Sequence, residues 1–455
     1  MPRLGGWALW IMMAIAPAGT QETAGTSIWK VGLARVDITP ERPVFMAGYD
    51  ARDKPFESIE ARINAKALVL EDPTGRRAAL ITTDLSGFTP AVVEPVCAAI
   101  RERIGLERKQ ILLNASHNHS GPLQGLDPNP RRNLSAEDAR NTASYTKALQ
   151  QKLIQVVVDA ASKLEPARLS WGSGVAFFVM NRREFTPNGI ILGVNPRGPV
   201  DRSLPVLRIE GLDGQLRAAV FGTACHNTTL TGNNYRISGD YAGYAQTYVE
   251  ERYRGVQAMF MAGCGGDANP YPRGTVELAR EHGTNLGKEI CRVLETKLTS
   301  LRGPLTVEYE LVDLPFKDPP SREELRNWLQ DGPGWRAAVA RALLETLDRG
   351  EQLPRHQRAP LAVWQFGEDL TLVAISGEVV VDYVPLLEKA LGPLRLWISG
   401  YSNEVFGYLP SSRLLQEGGY ETRGASGRGI FSPAAQDVVV AKVRELALRA
   451  GRKGN

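Results

Sequence analysis

The chain has 455 residues, of which 43% are hydrophobic, and its formal net charge is +4. This length permits a large core, in one big domain or two modest ones. The mild charge, with no dense basic run interleaved with aromatic residues, argues against a nucleic-acid partner. Four cysteines in a chain of this size are too few for a disulfide framework.

The N-terminus has the pattern of a secretory signal peptide. Arg3 precedes an apolar stretch, Leu4–Ala16, which is followed by small residues at 18–20. The stretch is shorter than the about 20 residues that a membrane-spanning helix needs. We therefore predict a cleaved signal peptide at 1–24 and a mature protein that is secreted or periplasmic, without an anchor.

Strand-like and helical patterns alternate along the remaining chain. Helices are predicted, in chain order, at Ala91–Ile104, Ala136–Leu164, from near Gly239, Leu278–Leu298 and Ala434–Ala450. Strands are predicted at Lys66–Leu70, Ala78–Thr82, Ile111–Leu113, Val206–Glu210, Leu216–Thr223, Gln257–Ala262, Leu372–Glu378 and Leu394–Ile398. The mixture of hairpins and helices predicts a layered α/β fold with mixed or antiparallel sheets, in contrast to a doubly wound parallel sheet.

Most of the chain is expected to form one domain. We predict a single large catalytic domain over residues 28–450. The stretch 313–358 is charged, helical and poor in motifs, so it is a candidate peripheral insertion within that domain.

The segment Asn114–Pro122 contains two of the five histidines, His117 and His119. It directly follows an apolar strand-like run, and side chains two apart on an extended segment point to the same side. Both rings can therefore converge on one metal ion, or one can bind metal while the other handles protons. A purely structural pair of histidines remains the alternative.

Three further segments repeat this arrangement of a buried strand, a turn of small residues and a polar side chain. His226 follows the strand at 216–223, Glu378 ends the strand at 372–378, and the stretch 399–408 follows the strand at 394–398. Loops at strand ends are common positions for binding and catalytic residues. The repetition favours a functional site over simple core packing.

At these residues the sequence resembles the catalytic domain of the neutral/alkaline non-lysosomal ceramidase family. The resemblance extends from about residue 30 to about 440, with an opening segment at Gly32–Pro40 and Met46–Tyr49. The motifs that carry it are Asn114–Pro122, Cys225-His226, Asp240–Tyr244, Gly266–Pro270, Ser376–Glu378, Ser402-Asn403, Gly407-Tyr408 and Tyr420-Glu421. The resemblance implies two sheets stacked between helices and a zinc ion held by two histidines, a glutamate and a tyrosine.

The resemblance also assigns roles to individual positions. It implies zinc ligands at His117, His226, Glu378 and Tyr408. It places the second motif histidine at His119 and implies substrate contacts at Arg182 and Tyr420, although either of these can instead be a structural pair. We predict catalytic roles for His119, Tyr408 and Asp267, and we add Asn269 to the predicted substrate contacts.

Several of these positions have a structural alternative. His119 can serve only to orient His117 through a hydrogen bond. Glu378 can cap the N-terminus of a following helix, and Tyr408 can pack in a core with its hydroxyl bonded. Asp267 can belong to a tight turn whose side chain caps a helix. A bridge between Cys225 and Cys264 is also left open.

Two departures bear on substrate. Asn269 stands where the family has a serine considered important for catalysis, and members continue into an immunoglobulin-like domain, whereas 35 residues follow Tyr420 here. The sequence predicts a zinc amidohydrolase acting on N-acyl substrates, with ceramide-like lipids as the leading candidate. A hydrolase of the same fold acting on another amide or ester, and a metal-containing binding protein without catalysis, are the alternatives. We expect a small-molecule or lipid substrate, peripheral contact with a lipid surface and no obligate protein partner.

Overall fold

A computed structural model describes Met1 and residues 27–126, 134–330, 335–425 and 428–453. Beyond Met1, the predicted signal peptide at 1–24 lies outside the described residues. Within the described residues, no helix combines the length and the apolar character that crossing a bilayer would require.

The elements alternate as the sequence pattern predicted. In chain order, the strands in the described residues are β1 (Trp29–Asp37), β2 (Ser58–Ile59), β3 (Asn64–Glu71), β4 (Arg77–Thr83), β5 (Ile111–Ala115), β6 (Glu165–Val175), β7 (Val179–Thr186), β8 (Gly189–Asn195), β9 (Ser203–Gly211), β10 (Leu216–Thr223), β11 (Arg236–Ile237), β12 (Gln257–Ala262), β13 (Ala268–Pro270), β14 (Thr299–Ser300), β15 (Leu305–Pro315), β16 (His356–Phe366), β17 (Leu370–Ile375), β18 (Glu378–Val379), β19 (Leu396–Ser399) and β20 (Tyr408–Leu409). The α-helices are α1 (Pro90–Ile104), α2 (Ala136–Ala161), α3 (Asp240–Arg252), α4 (Val276–Leu294), α5 (Arg322–Gln330), α6 (Trp335–Asp348), α7 (Tyr383–Leu391), α8 (Ser412–Glu417) and α9 (Ala434–Arg449). Short 3-10 turns lie at Arg108–Gln110 and Tyr420–Thr422.

Two large sheets carry the fold. The first has the strand order β12-β10-β9-β6-β1-β3-β4-β5, with β14 paired to β6, and the second has the order β15-β16-β17-β19. Most neighbours are antiparallel, but β4 and β5, β10 and β12, and β17 and β19 run parallel. The sheets are therefore mixed, which confirms the predicted fold class.

The sheets face each other across a shared apolar core. Leu68 and Met259 of the first sheet belong to the same buried cluster as Trp364, Leu372 and Trp397 of the second. Separate clusters join the outer face of the first sheet to α1 and α2 and to α3 and α4, and the outer face of the second sheet to α7 and α9. The predicted arrangement of two sheets stacked between helices is thus confirmed.

Two predicted helices end earlier than the sequence pattern suggested. The helix predicted to reach Leu164 ends at Ala161, because the chain enters β6 at Glu165. The helix predicted at Leu278–Leu298 is α4, where the Thr275 side chain caps the first turn and the C-terminus precedes β14. In both cases the over-predicted residues form the turn that leads into the next strand.

The region 313–358 contains α5 and α6, which form their own small apolar cluster around Leu325, Ala340 and Leu343. Its two ends, however, belong to β15 and β16 of the second sheet. The helical part is therefore narrower than predicted, and the division of the chain into a 28–450 domain with an insertion stays a prediction. All four cysteines are buried free thiols, so Cys225 and Cys264 form no bridge.

Candidate metal centre

Four candidate ligands lie at strand ends where the two sheets meet. His117 follows β5 and His226 follows β10, both in the first sheet, while Glu378 begins β18 directly after β17. Tyr408 begins β20, which pairs in parallel with β18 so that Glu378 lies opposite Tyr408. Segments far apart in sequence thereby converge on one point.

The two histidines of the first motif converge for a different reason from the one predicted. The prediction placed both on an extended segment, but β5 ends at Ala115 and His117 has a φ of 57°, in the left-handed region. Such a conformation is uncommon for a residue other than glycine and marks a position held by its surroundings. The turn, rather than strand alternation, brings His119 Nε2 to 3.1 Å from His117 Nε2.

The donor atoms form a tight cluster. Glu378 Oε2 lies 3.1 Å from His117 Nε2 and 3.2 Å from His226 Nε2, and the Tyr408 hydroxyl lies 3.5 Å from His226 Nε2. Ligands about 2.0–2.1 Å from a tetrahedral zinc ion are about 3.3–3.4 Å apart, which is close to these separations. One ring nitrogen from each of His117, His119 and His226 also lies within 4.8 Å of the other two, so the three histidines form a group able to hold a metal ion.

The tautomers of the two strand-end histidines suit metal binding. The Nδ1 atom of His117 lies 2.7 Å from the Ser86 carbonyl, and that of His226 lies 2.7 Å from the Gly265 carbonyl. A carbonyl only accepts, so each Nδ1 carries the proton and each Nε2 presents a lone pair to the cluster. Burial, with the nearby Arg182 and His117, lowers the pKa of His226 to about 3, which keeps that ring neutral.

Glu378 supplies the negative charge of the cluster. Burial alone would raise the pKa of its carboxyl, but His117 and His226 hold that pKa well below its ordinary value. The carboxylate is therefore ionised and available as an oxygen donor to a metal ion. This donor set, without a thiolate, matches catalytic rather than structural zinc sites.

His119 is enclosed and neutral. Burial and the adjacent His117 and His226 lower its pKa well below the ordinary value. Its Nδ1 atom is buried without a hydrogen bond to the described residues. The ring packs edge-on against Tyr49 and directly over Gly48, whose φ is 89° and where a Cβ would lie 2.3 Å from the ring. His119 thus has free proton-accepting capacity next to the cluster.

Arg182 forms the opposite wall of the site. Its guanidinium donates to the Tyr408 hydroxyl at 2.9 Å and lies 3.1 Å from His226 Nε2. Burial opposes its charge, but Tyr408 and the Glu421 carboxylate more than compensate and hold the pKa of Arg182 well above its usual value. A permanently charged group therefore borders the cluster of candidate ligands.

Glu421 is the residue whose role the sequence interpretation missed. One carboxylate oxygen accepts from Arg182 Nε at 2.9 Å and the other accepts from Arg183 at 2.7 Å, and all three side chains are buried. The Tyr420-Glu421 motif was recognised, but only Tyr420 received a role. The sequence did contain a signal for this role. Glu421 directly follows a predicted substrate contact, and the adjacent arginines Arg182 and Arg183 need an acidic partner if they are buried.

The other predicted substrate contacts lie around Arg182. Tyr420 packs edge-on against Tyr408, with its ring beneath the Arg182 guanidinium. Asn269 accepts hydrogen bonds from Arg182 at 3.4 Å and from Thr228 at 3.2 Å. The structure therefore brings these predicted contacts together.

Asp267 has a different environment. Its carboxylate accepts hydrogen bonds from the Val381 backbone at 2.8 Å and from the Asn181 side chain at 3.4 Å. Burial raises the pKa of this carboxyl to about 7. These contacts join the loop after β18 to the strand that carries Arg182, and the catalytic role of Asp267 stays a prediction.

The cluster opens into a cleft with two chambers. The larger, of about 740 Å³, reaches His117 and Glu378 and is walled in part by Ala338 and Ala342 of α6. The smaller, of about 360 Å³, contains Arg182. The chambers share Gly48, His119, Tyr408 and Tyr420 in their walls. A substrate that spans both chambers therefore passes beside His119.

Sequence comparison gives one consistent result. A sequence profile of the family described as "Neutral/alkaline non-lysosomal ceramidase, N-terminal" matches residues 29–312. The chain is 29% identical over 252 residues to the neutral ceramidase of Pseudomonas aeruginosa, covering 53% of this chain and 37% of that protein. It is 27% identical over 276 residues to neutral ceramidase B of Dictyostelium discoideum, covering 56% of this chain and 37% of that protein. The chain thus matches little more than a third of the length of each relative.

Comparison with solved structures supports the fold. The crystal structure of neutral ceramidase from Pseudomonas aeruginosa aligns with a TM-score of 0.72 and 22% identity, covering 93% of this chain and 75% of that one. A second structure, described as ceramidase complexed with C2, aligns with a TM-score of 0.73 and 21% identity, covering 94% of this chain and 76% of that one. At these identities the likeness is one of fold.

Proposed function

The chain belongs to the neutral/alkaline non-lysosomal ceramidase family, and from that premise we propose that it is a zinc-dependent amidohydrolase that cleaves the N-acyl amide bond of ceramide-like lipids. The observation that carries the proposal is the convergence of His117, His226, Glu378 and Tyr408 beside His119. The relatives named above as neutral ceramidases support the choice of substrate class.

The zinc would be held by His117, His226, Glu378 and Tyr408. When bound, it would polarise the amide carbonyl and lower the pKa of a bound water toward about 7. His119 is neutral and has a free Nδ1 atom, so it can accept a proton and return it to the departing amine. General acid–base catalysis of this kind contributes roughly 10²–10⁴-fold to a rate.

Arg182 and Tyr420 would orient the substrate. The charged guanidinium donates hydrogen bonds into the space beside Tyr408, where a carbonyl or hydroxyl oxygen of the substrate can accept them. Two chambers that meet beside His119 also suit a substrate with two chains joined at an amide. These features support a ceramide-like molecule over a small compact amide.

One observation favours a second candidate, a hydrolase of the same fold acting on another amide or ester. Asn269 stands where the family has a serine, and its carbonyl oxygen is engaged by Arg182 and Thr228. An amide side chain here offers different hydrogen-bonding groups to a substrate from those of a hydroxyl. The position can therefore shift the substrate preference while leaving the proposed zinc ligands intact.

A substrate panel tests the proposal. Purified protein is incubated with N-acylsphingosines, short N-acyl amino acids and matched esters, and released fatty acid is measured by mass spectrometry. We expect N-acylsphingosines to be cleaved fastest, with activity lost on chelation and regained with zinc. Preference for esters or small amides would support the second candidate, and absence of turnover on every compound would support a binding protein.

We also propose that the protein is exported after removal of residues 1–24. The support is the sequence pattern of Arg3 and Leu4–Ala16. Expression of the full chain in a bacterial host, followed by N-terminal sequencing of the exported fraction, tests this. An intact N-terminus retained with the membrane would contradict it.

A further inference from the structure

Nearly half of the exposed large apolar side chains in the described residues lie along one hairpin and the segments that flank it, with Phe177 and Phe185 at opposite ends of β7. The described residues include thirteen large apolar side chains that are exposed, and six of them lie on the β7–β8 hairpin or on the two segments beside it. The six are Val175, Phe177, Phe185, Ile191, Leu192 and Tyr271. They include all three aromatic members of the thirteen, and Phe177 and Phe185 are 78% and 62% exposed. Such clustering on a protein surface marks an interaction site.

The hairpin geometry connects this surface to the cleft. Phe185 pairs with Ile190 and Arg183 pairs with Leu192 in the β7–β8 register, so Phe185, Ile190 and Leu192 share one face with the buried Arg183. Ile191 pairs with Glu184 and lies on the other face. Leu192 also lines the smaller chamber, as does Tyr271. The exposed apolar surface therefore continues into the mouth of the chamber that contains Arg182.

The segment beside the hairpin is tied to it. The Tyr271 backbone N–H donates to the Phe178 carbonyl at 2.9 Å, and β13 pairs with β7. Phe177 therefore lies on a turn that is fixed relative to Tyr271. The apolar surface is built on paired strands, which hold its members in place.

The charge pattern of the hairpin indicates what it contacts. Residues 185–196 contain no charged side chain. A surface that binds an anionic partner carries lysine and arginine, whereas insertion into an uncharged interface needs apolar and aromatic side chains. Aromatic residues are favoured at the boundary between a bilayer and water.

We propose that the β7–β8 hairpin, together with the Val175–Phe178 turn and Tyr271, docks on the surface of a lipid bilayer and places the mouth of the smaller chamber against it. The choice of a bilayer as partner rests on the proposed function, because a ceramide-like substrate with two long chains resides in membranes. Insertion of Phe177 and Phe185 removes their apolar surface from water. The lipid then enters the cleft from the membrane.

The test compares Phe177→Ser/Phe185→Ser with Leu394→Ser. Neither phenylalanine lines the cleft, and Leu394 is also 78% exposed but lies elsewhere. Binding is measured by co-sedimentation with phosphatidylcholine vesicles at low and high salt. We expect the double variant to lose at least tenfold in vesicle binding at both salt concentrations. Wild type and Leu394→Ser should bind equally.

Activity measurements distinguish this proposal from the proposed function. Turnover of a soluble short-chain N-acylsphingosine should stay within twofold in the double variant, while turnover of vesicle-borne substrate falls at least tenfold. Vesicle binding is measured without any turnover. If wild type binds vesicles, the double variant does not, and neither cleaves any substrate, the docking proposal is supported and the proposed function is refuted.

Three results would overturn the docking proposal. The first is wild-type protein that fails to bind vesicles, and the second is a double variant that binds vesicles as well as wild type does. The third is a double variant that loses self-association instead of vesicle binding, which would assign the surface to a second copy of the chain. Phe185→Trp provides a second readout if the double variant does not fold. Because the chain has native tryptophans, the signal is the emission of Phe185→Trp minus that of wild type. This difference should shift to shorter wavelength on adding vesicles, and an unchanged difference spectrum would count against insertion.

Discussion

The two halves of the cleft are equally buried but differ in charge. On one side, His117 and His226 are fixed by backbone carbonyls that hold their Nδ1 protons, and burial keeps His226 neutral. On the other side, Arg182 keeps its charge because Tyr408 and the Glu421 carboxylate outweigh its burial. Glu421 accepts one hydrogen bond from Arg182 and one from Arg183. The histidine half therefore presents nitrogen lone pairs to the cleft, and the arginine half presents hydrogen-bond donors.

The difference shows that burial and charged partners together decide the charge of a group in this site. Burial and Arg182 outweigh the Glu378 carboxylate and keep His226 neutral, whereas Tyr408 and Glu421 outweigh burial and keep Arg182 charged. A hydrolase needs both conditions, because metal binding requires free lone pairs and substrate binding requires donors.

The largest effect is expected at the metal ligands. His117→Ala and His226→Ala should each lose most of the bound zinc and with it the activity, because three remaining ligands from distant loops hold the ion weakly. Metal content is measured by mass spectrometry of the purified protein. His356→Ala, at a half-exposed histidine outside the cleft, is the matched control. Full zinc in both variants would show that the ligand assignment is wrong.

His119→Ala should keep the zinc and reduce turnover by at least about a hundredfold, the scale of losing a positioned acid–base group. The reason is that its free Nδ1 atom makes it the group best placed for proton transfer. Steady-state kinetics and metal content are measured on the same preparation. Release of zinc comparable to that of His117→Ala would instead make all three histidines ligands.

Glu421→Gln should disturb the charged half alone. Removing the carboxylate leaves Arg182 and Arg183 buried without their shared counter-charge, and breaking a buried pair costs about 3–5 kcal/mol of unfolding free energy. We expect KM to rise about tenfold or more, with a smaller change in kcat and normal zinc content. Glu417→Gln, which contacts Arg183 from a more exposed position, is the control. Rescue of KM by Glu421→Asp would identify Glu421 as a positioning residue.

Glu404 carries a buried carboxyl that lies outside both halves of the cleft. Burial, partly offset by Arg108, raises its pKa to about 7. The unfolded chain releases this proton near pH 4.5 and the folded protein near pH 7, so stability is lost as the pH rises between these values. Glu404→Gln should therefore be more stable than wild type at pH 8, by on the order of 2 kcal/mol, and equally stable at pH 4. Chemical denaturation at both pH values measures the free energy of unfolding. A Glu404→Gln protein that is more stable than wild type at pH 4 but not at pH 8 would show that folding does not raise the pKa of Glu404.

The smallest effect is expected for Tyr420→Phe. Its ring would still pack against Tyr408 and Arg182, and only the hydroxyl is removed. We expect KM to rise about three- to tenfold, the cost of one hydrogen bond, with kcat changed less. A fall in kcat that exceeds the rise in KM would place the hydroxyl in the transition state.

Much of the fold could be predicted because its signals are local. The Asp213-Gly214 turn between β9 and β10 and the Ser135 cap, which accepts from the Asp138 backbone, follow from neighbouring residues. The ends of α2 and α4 could not, because each is followed by a turn that leads into a strand whose partners are distant in sequence. Several site residues were found through short motifs, each a strand end followed by a turn.

The sequence by itself determined which side chains are available for chemistry and that they follow strands, since both are properties of short segments. Only the tertiary structure decided how they meet. It places Glu378 opposite Tyr408, holds His117 in a left-handed conformation, and joins Arg182 to Glu421 across 239 residues. These relations depend on contacts between distant segments, which leave no periodicity or spacing in the chain, because only the packing of those segments brings the partners within reach.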